Sequence, residues 1–133
     1  MRVSLAVLTI ACAELIVPDQ ALGQQLCDLA VGDLGALRSQ VQQLPGAAPI
    51  DSRSPDFDVI SVGRGQIWNF TKAHHPAHPS VACRKLVERD GQFFVETKLH
   101  SRASTERCNS LSADYARLDQ IMMDSLKGEP PKR

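Results

Sequence analysis

Ser80-Val81-Ala82-Cys83-Arg84-Lys85-Leu86-Val87-Glu88-Arg89-Asp90-Gly91-Gln92-Phe93-Phe94-Val95-Glu96-Thr97-Lys98-Leu99-His100 is the stretch that decides the fold. Two runs of β-type residues flank Asp90-Gly91, and Asp-Gly is a strong short hairpin signal because a type I′ turn needs positive φ at both central residues. With that pair as the loop, Lys85 faces Glu96, Leu86 faces Val95 and Val87 faces Phe94. The first pair is opposite in charge and the other two are apolar, as cross-strand neighbours should be. Ala82, Leu86, Phe93, Val95 and Leu99 then share one side of the sheet, which is expected to be the core side.

Working outward towards the N-terminus, Phe57 to Val62 reads as a strand, Gly63-Arg64-Gly65 as a turn and Gln66 to Lys72 as a second strand. Further upstream, Leu26, Ala30, Leu34, Leu37, Val41 and Leu44 recur at helical spacing, predicting a helix that Pro45-Gly46 stops. Pro45 to Pro55 reads as a loop. Towards the C-terminus, Ser104 is a suitable N-cap for a helix whose stripe is Cys108, Leu111, Tyr115, Leu118, Met122 and Leu126, with Gly128 ending it. The expected fold is α+β: an antiparallel sheet of about four strands, with an N-terminal and a C-terminal helix packed on one face of it.

The first 23 residues read differently. Arg2, the apolar run Val3 to Ala13 and the small-x-small triplet Ala21-Leu22-Gly23 match a secretory signal peptide. Cleavage is expected after Gly23, with Ala13 as the other candidate; Thr9-Ile10-Ala11-Cys12 is a weak lipoprotein box. The chain therefore divides into a signal peptide (1–23), one small domain (24–128) and a polar tail (129–133). No apolar run is long enough for a membrane span in the mature chain.

Fifteen basic and fifteen acidic residues cancel, which argues against a nucleic-acid partner, since such proteins carry a basic surplus. Losing residues 1–23 removes Arg2, Glu14 and Asp19 and leaves the charge near neutral. It also removes Cys12, so Cys27, Cys83 and Cys108 remain in what export would make an oxidising compartment. The hairpin register puts Cys83 near the end of the last strand, close to where Cys108 opens the helix. Cys83–Cys108 is therefore the expected disulfide, leaving Cys27 unpaired, paired between chains, or the partner of one of the other two.

The chemistry-bearing residues concentrate in Trp68-Asn69-Phe70-Thr71-Lys72-Ala73-His74-His75-Pro76-Ala77-His78-Pro79-Ser80. His74, His75 and His78 could bind Cu or Zn, with Cys83 as a possible fourth donor. A loop whose prolines set the path between two strands accounts for the same residues. Trp68 and Phe70 point to one side of their strand, as a ligand platform or as ordinary core. Asn69-Phe70-Thr71 matches an N-glycosylation acceptor, relevant only to a eukaryotic source. No GxSxG, HExxH, Walker-type loop or dinucleotide fingerprint occurs.

The run Gly65-Gln66-Ile67-Trp68-Asn69-Phe70-Thr71-Lys72, followed by His75-Pro76-Ala77-His78-Pro79-Ser80 and Cys83-Arg84, resembles small exported proteins of proteobacteria. With the hairpin and final helix the resemblance covers roughly half of the mature chain. It implies a bacterial source and a periplasmic or secreted location, and it carries no activity and no functional residue across. The expected function is that of an exported binding or accessory protein for a protein or small-molecule ligand, without catalysis or a cofactor. The alternative is a periplasmic Cu- or Zn-binding protein using His74, His75 and His78.

Overall fold

The computed structural model describes residues 9–11, 24–51 and 54–126. In chain order these form β1 (Thr9–Ala11), β2 (Gln25–Leu26), β3 (Leu29–Ala30), α1 (Leu34–Gln42), β4 (Ala47–Ile50), β5 (Phe57–Val62), β6 (Gln66–Thr71), β7 (Ser80–Arg89), β8 (Gln92–Ser101) and α2 (Thr105–Leu126). The main sheet has the order β1-β8-β7-β6-β5-β4, and β2 and β3 pair with each other. From β4 to β8 each strand pairs antiparallel with the next, whereas β1 lies parallel to β8. The fold class is α+β, with a long helix at the C-terminus.

The β7–β8 hairpin has the expected register. Lys85 pairs with Glu96, Leu86 with Val95 and Val87 with Phe94, and Asp90 and Gly91 both have positive φ (52° and 77°). The core is not confined to one side, however. Side chains alternate across a strand, so Trp68, Phe70, Val81, Cys83 and Ile60 face one way, where they pack with Leu26, Leu37 and Val41. Ala82 and Leu99 face the other way and pack with Cys108, Leu111 and Tyr115 of α2. The two helices thus cover opposite faces, in place of the single helical layer expected.

Leu86 and Phe93, expected in the core, are 41% and 49% exposed. The reason is local: β6 pairs with β7 only as far as Gln66 opposite Lys85. Beyond that point β7 and β8 run on as a two-stranded ribbon whose apolar side chains have little to pack against. Among the helical stripe of α2, Cys108, Leu111 and Tyr115 are buried, while Leu118 and Leu126 are largely exposed. Ser112, Asp119 and Met123 are buried instead, so the inward face of α2 is more polar than its apolar spacing suggested.

The expected helix over Leu26 to Leu44 is shorter than its periodicity implies. Cys27 and Asp28 take positive φ (45° and 71°), which L-residues adopt at a turn and not within a right-handed helix. They form the corner of the β2–β3 hairpin, where Leu26 pairs with Leu29. The helix begins only after Asp33, whose Oδ1 accepts from the Gly35 and Ala36 N–H groups at 2.6 and 3.3 Å, an N-cap of the usual kind. Pro45 to Pro55 is not all loop either, since β4 adds itself to the edge of β5.

Cys83 is bonded to Cys27, with a Cα–Cα distance of 6.3 Å, and not to Cys108. The two faces of the sheet explain the difference. Cys83 projects to the α1 side, whereas Cys108 packs against Ala82 and Leu99 on the α2 side, so the sheet itself lies between them. Cys108 is also disulfide-bonded, and no cysteine is free. Apart from β1, the proposed signal segment lies outside the described residues, as does the tail 129–133.

Candidate functional site

The loop between β6 and β7 is tied to the connection between β4 and β5. The Lys72 N–H donates to the Asp56 carbonyl at 2.7 Å, Lys72 Nζ donates to the Ser54 carbonyl at 3.3 Å, and His74 Nε2 lies 3.1 Å from Asp56 Oδ1. From the other side, Arg107 Nη1 at the start of α2 donates to the Pro76 carbonyl at 2.8 Å. The loop is thus pinned by both neighbours, and Ala77 at its centre is buried.

Pinning directs the three imidazoles to three different partners. His74 is exposed and faces Asp56. His75 lies against the Phe57 ring, with centroids 4.9 Å apart, and its Nδ1 accepts from the Ala77 N–H at 2.9 Å. His78 Nδ1 is 2.9 Å from Thr71 Oγ1 and 3.1 Å from the Thr71 carbonyl. Cys83, the suggested fourth donor, is oxidised in its disulfide. Among the described residues no group of three or more His, Cys, Asp or Glu side chains is arranged to hold a metal ion.

Trp68 and Phe70 do share one side of β6, stacked with centroids 6.3 Å apart. Both are buried in the α1-side core, and the Trp68 indole N–H donates to Gln66 Oε1 at 2.8 Å. Neither ring is presented to solvent. Asn69 sits in the middle of β6 between β5 and β7, with its Oδ1 buried, so the acceptor pattern around it lies inside the sheet.

The concave surface nearest the His loop is a cleft of about 330 Å³ lined by Ile50, Asp51, Ser54, Pro55, Phe57, Asp58 and Lys72. Ile50, Pro55 and Phe57 supply apolar wall. Asp58 is held by Arg38 at 3.0 Å, with Lys72 Nζ 4.0 Å away. The rim therefore pairs two cations with one of the cleft's carboxylates beside an apolar floor. Sequence reading took the connection 51–56 for a spacer. What could have marked it is Asp56-Phe57-Asp58, where acids flank an aromatic residue at a strand start.

The most polar buried group lies on the opposite face. Arg84 Nε and Nη2 reach Asp119 Oδ1 at 3.1 and 2.6 Å, and Thr97 Oγ1 donates to Asp119 Oδ2 at 2.6 Å. Beside them the Tyr115 phenol is pushed up to about 12, chiefly by burial; the Asn69 amide and the Arg84 charge pull it down, and Asp119 adds to the rise. Tyr115 Oη and Asn69 Oδ1 nevertheless have no hydrogen-bond partner of ordinary geometry. Nothing in this group opens to a cleft, so it serves to fix α2 on the sheet.

Comparison of the chain with protein families, with curated proteins and with solved structures finds no match. The fold and site define an α+β domain with an open cleft at one end of its sheet.

Proposed function

We propose that the protein is an exported, periplasmic or secreted, non-catalytic binding module, and that its ligand site is the cleft between the β4–β5 and β6–β7 connections. The observation that carries the reading is the buried Cys27–Cys83 disulfide with no cysteine left free, which suits an oxidising compartment. The cleft supports the binding half: apolar wall from Ile50, Pro55 and Phe57, and charged groups at Lys72 and Asp58, the mixture that small-molecule and peptide sites use. The ligand class this favours is a short peptide or small molecule with an apolar body and a charged group.

The test has two parts. Protein recovered from a cell fraction is unfolded in the presence of a thiol-alkylating reagent; the expected result is recovery outside the cytoplasm with no cysteine alkylated until a reductant is added. Recovery in the cytoplasm with reduced cysteines would sink the export reading. Amide shifts recorded while titrating a panel of short peptides and charged amphipathic molecules then locate binding. Shifts confined to Phe57, Asp58 and Lys72 are expected, and shifts that bypass these residues would move the site elsewhere.

A further inference from the structure

The two edges of the sheet differ. At one, β4 is exposed over Ala48 to Ile50 and carries Pro49, which has no N–H to offer an incoming strand. At the other, the outer edge of β8 is filled by Thr9–Ala11 of the same chain, with Thr9 opposite Lys98, Ile10 opposite Leu99 and Ala11 opposite His100. The Leu99 carbonyl lies on this outer edge, where it accepts from Gln24 Nε2 at 3.2 Å. Gln24 Oε1 is in turn 2.7 Å from His100 Nδ1. In a strand, the N–H of a residue points to the same edge as its carbonyl, so the Leu99 amide belongs to this edge too.

Thr9–Ala11 lies within the segment whose removal the export reading requires, while Gln24 is the first residue that would remain. We propose that the outer edge of β8 is a strand-docking site: the chain's own leader fills it before processing, and an extended apolar segment of a partner protein, parallel to β8, fills it afterwards. This rests on the export reading. Without an occupant, the edge residues of β8 lose main-chain partners directly beside the buried Leu99, and edges of that kind recruit strands. Main-chain hydrogen bonds then supply affinity and alternate side chains the selectivity.

The seated strand also says what kind of occupant fits. Thr-Ile-Ala combines β-branched and small apolar residues, which suit an extended strand. Its direction argues against a second copy of this chain, because a two-fold axis relating two β8 edges would set them antiparallel, whereas the seat observed is parallel. Gln24 remains after processing to hold the Leu99 carbonyl and the His100 ring at the mouth of the seat.

The experiment compares the full chain with the protein as exported, its N-terminus established by intact mass, and reads hydrogen exchange at the Leu99 amide. The probe is a synthetic peptide copying residues 5–11, with an Ile10→Pro version as the control that lacks the central N–H. Exchange about 100-fold faster in the exported protein than in the full chain is expected, given that edge amides are protected only while paired. Saturating peptide should restore the protection and the proline version should not. If intact mass shows residues 1–23 still attached, cleavage and docking both fail, since the seat is then permanently filled. If the leader is gone but the Leu99 amide is already slow, or the peptide does not slow it, docking alone is overturned. Peptide-free protection that rises with protein concentration would assign the edge to a second copy and also overturn the proposal.

Discussion

On the α1 side of the sheet, Trp68, Phe70, Ile60 and Val81 pack with Leu26, Leu37 and Val41 beside the Cys27–Cys83 disulfide. On the α2 side the sheet offers Arg84 and Thr97 to Asp119, with Tyr115 and its hydroxyl alongside. The first side carries a short helix of nine residues, the second a helix of 22. Apolar packing is non-directional, so the short elements of the first side need a covalent tether to hold the β2–β3 hairpin in place. The charge pair of the second side is directional. It sets the rotation and register of a long helix that would otherwise slide along an apolar strip, in the way buried polar groups are known to specify register.

Removing the tether should have the largest effect. Cys27 and Cys83 are 56 residues apart, and on the chain-entropy model closing such a loop stabilises the fold by about 4 kcal/mol. The double substitution Cys27→Ala/Cys83→Ala is expected to lower the unfolding free energy by that amount in urea titration. A loss below about 1 kcal/mol would mean that the apolar contacts of Leu26 already hold the hairpin, and the contrast between the faces would collapse.

The polar side should respond in the opposite sense to single and paired changes. Asp119 and Arg84 side chains are 9% and 11% exposed, so Asp119→Ala strands a buried guanidinium and should cost about 3 kcal/mol. Replacing both partners by apolar residues, Arg84→Met/Asp119→Leu, should leave stability within about 1 kcal/mol of the parent or raise it. The double variant should instead show broadened resonances along α2 if the pair specifies register. Sharp, unshifted spectra would show that packing at Leu111 and Tyr115 alone places the helix.

Much of this architecture was legible in the sequence where local chemistry is strong. Asp90-Gly91 set the hairpin and its register down to individual pairs, Gly63-Arg64-Gly65 set the turn between β5 and β6, and Ser104 marked the start of α2. What escaped was decided by tertiary contacts. The Leu26 and Ala30 positions kept helical spacing, yet Cys27 is held in a hairpin by a cysteine on a strand far along the chain. Cys83 could be placed along its strand but was assigned the wrong partner, because sequence distance says nothing about which face of the sheet covers which helix. The His74, His75 and His78 cluster is close in sequence and divergent in space, since Asp56, Phe57 and Thr71 each claim one ring. The cleft was not legible, for its walls come from two connections with no pattern in common.

Alkaline titration gives the smallest and cleanest measurement, because Tyr115 is the only tyrosine in the chain. Burial favours the neutral phenol, raising its pKa from 10 to about 12. The unfolded chain ionises near pH 10 while the folded one still holds its proton, so the unfolded state gains free energy that the native state does not. Stability is therefore unaffected below about pH 10 and falls by about 2–3 kcal/mol as the pH rises towards about 12. The ultraviolet signal of tyrosinate should appear near pH 12 in the folded protein and near pH 10 in denaturant. Tyr115→Phe should flatten that limb of the stability curve. Below pH 10 it should change stability little or raise it, since the hydroxyl it removes is buried without a hydrogen-bond partner. A folded-state titration near pH 10 would mean that the phenol reaches water, and that the α2 face is looser than its hydrogen-bonded pair of Arg84 and Asp119 requires.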